Sequence, residues 1–94
     1  MPYLIVEYLH DPPVSNEQLG AASVALEPCL KARSIKRLRS WVSTDRKQGF
    51  CEYYAPDAET LREAYRTASV KFLRVWPAML FEGAVPPDTQ PGAC

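Results

Sequence analysis

The sequence predicts an α+β domain with the element order βαββαβ, on three observations. Four short runs rich in β-branched and aromatic residues flank two segments whose apolar residues recur at helical spacing. Pro77 stands in the fourth run, whereas the first and third hold no internal proline, so the fourth suits a sheet edge and the others its centre. A chain of 94 residues, 47% hydrophobic and 23% charged, has the size and mixture of one globular domain. The ferredoxin-like split-βαβ plan satisfies all three. It is a four-stranded antiparallel sheet with strands one and three central and both helices on one face.

Taken in order, Tyr3 to His10 (YLIVEYLH) reads as the first strand and stops at Asp11-Pro12-Pro13. Ser15 followed by Gln18 is a capping-box pattern, and Leu19, Ala22, Leu26, Cys29 and Leu30 continue at helical spacing to about Lys31. Pro28 removes a backbone donor and crowds the carbonyl of Val24, which predicts a kink or an early end. Ile35 to Thr44 alternates with period two and reads as the second strand. Asp45 to Gly49 is polar and holds a glycine suited to a hairpin. Phe50 to Ala55 is the third strand, and Asp57 is an N-cap. Leu61, Ala64, Tyr65, Ala68 and Phe72 form one helical stripe, and Val75 to Glu82 is the fourth strand. No internal repeat is evident. The reading divides the chain into a domain over residues 1–82 and a Pro/Gly-rich arm over 83–94.

Strand alternation sorts residues onto two faces. Leu4, Val6, Tyr8, Leu38, Ser40, Val42, Cys51, Tyr53 and Ala55 belong under the helices. The opposite set includes Tyr3, Ile5, Glu7, Leu9, Ile35, Arg37, Arg39, Trp41, Phe50, Glu52 and Tyr54. That set is too aromatic for a solvated face and too charged for a core. Left in water it would be an exposed apolar patch. The expected remedy is a homodimer in the manner of the dimeric α+β barrels. Its pocket would be bounded by Glu7, Arg37, Arg39, Trp41, Glu52 and Tyr54 and would hold a small anionic or aromatic ligand. The plain structural alternative is that Glu7 and Glu52 pair with Arg37 and Arg39 across neighbouring strands.

Eleven basic and eleven acidic residues cancel, so nucleic acid, which binds through excess Lys and Arg, is not an expected partner. The basic cluster of Lys31, Arg33, Lys36, Arg37 and Arg39 suits an edge strand guarded against aggregation. No apolar run reaches the roughly 18 residues of a membrane span. The Met1-Pro2-Tyr3 start lacks the pattern of a signal peptide, so a cytoplasmic location is expected. Three cysteines (Cys29, Cys51 and Cys94) and one histidine offer neither a disulfide framework nor a closed zinc site. Cys51 reads as a small buried hydrophobe and His10 as a solvated loop residue.

The run Cys51-Glu52-Tyr53-Tyr54-Ala55-Pro56-Asp57, continued by Leu61-Arg62-Glu63-Ala64, resembles the signature of a small bacterial domain-of-unknown-function family that includes a nickel-binding ferredoxin-like protein. Ser40-Trp41-Val42 resembles that family's S-Y-V segment, and Ile5-Val6-Glu7 its first strand. The resemblance spans about residues 3 to 82. It implies the same fold, a dimer formed through the sheets, and nickel as a ligand. Two positions where family members often carry histidine read Arg39 and Ala64 here. Nickel favours imidazole, and arginine stays protonated, so no cofactor is expected in this chain.

Three functions compete. The leading one is a small-ligand-binding dimer with its pocket on the Glu7, Arg39, Trp41 and Tyr54 face. The second is a cofactor-free monooxygenase or isomerase with Glu7 as general base, which requires a pKa raised toward neutrality. The third is nickel binding through Glu7, His10 and Cys51, although alternation puts His10 and Glu7 on opposite faces.

Overall fold

The computed structural model describes residues 3–81 and Gly83. Its elements follow the predicted order: β1 (Tyr3–Leu9), α1 (Asn16–Ala32), β2 (Lys36–Val42), β3 (Gln48–Tyr54), α2 (Ala58–Thr67) and β4 (Arg74–Ala78). The strands form one antiparallel sheet in the order β2-β3-β1-β4. Pro77 therefore lies on an edge strand, opposite Leu4, where a missing donor costs no ladder bond on its outer side. The arm expected over residues 83–94 lies, apart from Gly83, outside the described residues, as does the domain limit at residue 82.

Both helices pack on one face of the sheet. Leu26 and Leu30 of α1 and Leu61, Ala64 and Tyr65 of α2 share a core with Leu4, Val6, Tyr53, Ala55 and Val75. The hydroxyls of Tyr53 and Tyr65 lie 2.6 Å apart within it. Burial pushes the Tyr53 hydroxyl up to about 12 and that of Tyr65 further, so both stay protonated and one donates to the other.

The helix ends form as the sequence dictates. Ser15 Oγ accepts from the Gln18 amide at 3.1 Å, and the Ser15 amide donates to Gln18 Oε1 at 2.8 Å, completing the capping box. The Asp57 side chain accepts from the Thr60 amide at 2.7 Å. Pro28 does not end α1, which runs four residues further to Ala32. Pro28 and Val24 both lie on the exposed side of the helix, where water can solvate the carbonyl that loses its partner. Helix α2 stops at Thr67, so Phe72 is not part of its stripe. Phe72 nonetheless packs edge-on against Tyr65, ring centroids 5.6 Å apart.

Strand β2 departs most from expectation. Lys36 pairs with Tyr54 and Arg37 with Tyr53, but Arg39 pairs with Glu52, so the register slips between Arg37 and Arg39 and Leu38 has no partner. A bulge of this kind reverses the facing of everything before it. Ile35 enters the core, 7% exposed, and Arg37 follows it onto the helix side. The expected placement of Ile35 and Arg37 beside Arg39 and Trp41 is thereby corrected.

The hairpin between β2 and β3 also differs. Its left-handed residue is Arg46, with φ of 63°, and not a glycine. Gly49 lies inside β3, where the Tyr8 ring crosses it and the Tyr8 hydroxyl donates to the Trp41 carbonyl at 3.3 Å. A Cβ on Gly49 would collide with both the Tyr8 hydroxyl and the Trp41 carbonyl oxygen. Gly49→Ala is therefore expected to lower stability by about 1–3 kcal/mol, as overpacking does elsewhere. Urea denaturation with an unchanged slope is the check, and a neutral result would contradict the close approach.

Candidate functional site

The sheet face away from the helices is organised in cross-strand rows. One row, read from β2 to β4, is Trp41, Phe50, Glu7 and Arg74. The next is Arg39, Glu52, Ile5 and Trp76. A half-turn about an axis through the sheet centre carries the first row onto the second: tryptophan onto tryptophan, arginine onto arginine, and Glu7 onto Glu52.

Each glutamate is held the same way. Glu7 Oε2 accepts from Arg74 Nε at 2.5 Å and from the Trp76 indole at 2.6 Å. Glu52 Oε2 accepts from Arg39 Nε at 2.6 Å and from the Trp41 indole at 3.0 Å. The hydrogen bond from Arg74, then that from Trp76, holds the Glu7 carboxyl below its ordinary value. Arg39, then Trp41, does the same for Glu52. A carboxylate held low is a poor proton acceptor at neutral pH, which is the reverse of what a general base at Glu7 requires.

Sequence reasoning missed two of the six residues of this constellation. Arg74 and Trp76 were not among the expected site residues, and Glu7 pairs with Arg74, not with Arg37 or Arg39. The signal was present. Leu38-Arg39-Ser40-Trp41 is echoed by Leu73-Arg74-Val75-Trp76, and Val6-Glu7-Tyr8 by Cys51-Glu52-Tyr53. The chain thus carries an internal repeat after all, one copy in β1-α1-β2 and one in β3-α2-β4. The glutamate of each copy is bound by the L-R-x-W of the other.

Of the six expected site residues, five share the open face: Glu7, Arg39, Trp41, Glu52 and Tyr54. The sixth, Arg37, is on the helix side. A depression of about 510 Å³ lies at one end of the face, between Trp41, Phe50, Glu7, Leu9, Leu73 and Arg74. Tyr54 is not in its wall. It stacks obliquely on Tyr3, centroids 4.5 Å apart, and donates to the Tyr3 hydroxyl at 2.8 Å. The face stays apolar despite its charges, with Leu9 60%, Trp41 53%, Trp76 41% and Phe50 38% exposed.

This architecture is that of a ferredoxin-like α+β domain with an open aromatic sheet face. The family model described as nickel responsive protein SCO4226-like matches residues 3–77, and the chain belongs to that family. Among solved structures, the crystal structure of SCO4226 from Streptomyces coelicolor A3(2) is similar, with a TM-score of 0.76 at 16% identity. The match covers 85% of this chain and 99% of that one, and at that identity it speaks for the fold. No curated protein matches the sequence. No helix among the described residues is long and apolar enough to cross a membrane.

The two depressed carboxyls of this face add to the acid dependence of the fold, to which Asp45, Asp57 and Glu59, also held low by their hydrogen-bond partners, contribute. Stabilisation from a lowered pKa is fully present above the ordinary glutamate value of 4.5 and is lost as pH falls through the folded-state values beneath it. Unfolding free energy is thus expected to decline below pH 4.5, and Glu7→Gln or Glu52→Gln should each flatten that decline. Urea titrations across the acid range test this. An unaltered slope in both variants would contradict the pairing.

Proposed function

We propose that the chain is a homodimeric small-ligand-binding protein whose open sheet face forms the subunit interface, with the depression beside Glu7 enclosing an aromatic ligand. One observation carries the reading: the face exposes Trp41, Trp76, Phe50 and Leu9 while its carboxylates are already matched to arginines and indoles. Exposed apolar area favours association. Paired charges reduce, without abolishing, the desolvation cost that association imposes. An anionic ligand fits this face less well than an aromatic one, because Arg39 and Arg74 each already hold a carboxylate.

Nickel, named in the family description, does not fit this donor set. Of the two positions where imidazoles are missing, Arg39 is bound to Glu52 and Ala64 is wholly buried. His10 lies across the sheet from Glu7, edge-on against Tyr8. Among the described residues no three His, Cys, Asp or Glu side chains gather where a metal could be held. Calorimetry on untagged protein should show no stoichiometric nickel binding. A one-per-chain isotherm of micromolar affinity or tighter would overturn this part of the reading.

The dimer is tested by sedimentation. The parent chain should be dimeric at micromolar concentration. Trp41→Asp and Trp76→Asp should each give a monomer with an unchanged circular dichroism spectrum. A monomeric parent, or a doubly substituted chain that sediments like the parent, would remove the proposed interface.

A further inference from the structure

A second cavity, of about 550 Å³, lies on the other side of the sheet, between α1 and the strands. It follows from side-chain size. Helix α1 turns Gly20, Ala22 and Ser23 toward it, and β2 and β3 offer Ser40 and Cys51 beneath. Two surfaces of small side chains leave space that larger residues would fill. The volume falls within the roughly 300–1,000 Å³ typical of small-ligand pockets.

The charged side chains around this cavity are of one sign. Arg37 and Lys71 line it, and no aspartate or glutamate does. Arg37 is the group turned inward by the β2 bulge. Its Nη1 donates to Ser23 Oγ at 2.5 Å, and its guanidinium stands over the Tyr53 ring, 5.9 Å from the centroid. Its buried Nε has no hydrogen-bond partner, and no carboxylate among the described residues pairs with it. A partly desolvated cation without a counter-charge is unfavourable, and an anion beside it relieves that cost. Leu19, Leu26 and Val42 supply an apolar stretch of the remaining wall, with Gln18 and Ser69 as polar neighbours.

We propose that this cavity binds a small apolar carboxylic acid, its carboxylate beside Arg37 and its hydrocarbon body against Leu19, Leu26 and Val42. The site opens on the helix side of the sheet; it shares Tyr8 and Val42 with the depression on the open face, but its cation, Arg37, does not line that depression. Arginine suits the role because it stays charged when partly buried and presents a flat donor edge to a carboxylate.

The experiment uses the full chain with decanoate as probe and 1-decanol as its uncharged counterpart, followed by calorimetry and by amide shifts in nuclear magnetic resonance. Saturable binding of one decanoate per chain is expected, with shifts centred on Gly20, Ser23, Ser40 and Cys51. Decanol should bind at least tenfold more weakly. Arg37→Met should weaken decanoate at least tenfold while leaving decanol unchanged, and Ala22→Phe, which fills the cavity, should abolish both. A melting temperature for each variant separates lost binding from lost fold, and Ala22→Phe keeps the test open if Arg37→Met unfolds. Absence of saturable decanoate binding, equal affinity for the alcohol, or shifts confined to the indoles of Trp41 and Trp76 would overturn the proposal.

Discussion

The register slip between Arg37 and Arg39 is the constraint on which both faces of the molecule depend. Ile35 and Arg37 have the same parity along the strand, so whatever side takes one takes the other. Burying an isoleucine side chain is worth about 1.5–3 kcal/mol, and Ile35 is buried. Unbroken alternation would then carry Arg39 and Trp41 under the helices as well, leaving Glu52 without its partners. One unpaired residue, Leu38, resolves the conflict. Ile35 reaches the core, and Arg39 and Trp41 still reach Glu52. The consequence is that Arg37 is drawn inward behind Ile35, away from every carboxylate of the open face.

The open face acquires its character from the same arrangement. Two glutamates on central strands are each bound by an arginine and an indole from an edge strand. Exposed ion pairs of this kind contribute little to stability. Their larger effect is geometric. Each indole nitrogen is fixed on a carboxylate, so each tryptophan ring is held at a set place on the sheet, and the charges that would resist burial are already neutralised in pairs. A surface of this design suits association better than proton transfer, and the lowered carboxyl pKa values point the same way.

The element order, the strand arrangement and the helix N-caps were legible because each rests on local pattern: periodicity, Ser15 with Gln18, Asp57, and a proline confined to the edge strand. The facing of β1 and β3 was legible for the same reason, and with it the placement of Glu7, Glu52 and Tyr54 on the open face; Arg39 and Trp41 followed from alternation in the second half of β2. The facing of the first part of β2 was not, because no glycine marks the bulge and Lys-Arg-Leu-Arg reads equally well in either register. The hairpin glycine misled similarly. Arg46 adopts the left-handed turn conformation, and Gly49 is needed for the close passage of Tyr8. Arg74 and Trp76 were passed over because the fourth run read as an edge defined by its proline, and the L-R-x-W echo spans segments of unequal separation.

The central claim is that Arg37 and Arg39, two residues apart, face opposite sides of the sheet. Proton–proton nuclear Overhauser effects in solution test it most directly. The account predicts contacts from the Arg37 side chain to the Tyr53 ring and to Ser23, and from the Arg39 side chain to Glu52. Contacts from Arg37 to Glu52 or to the Trp41 indole would contradict it, returning Arg37 to the open face and leaving the helix-side cavity without its cation.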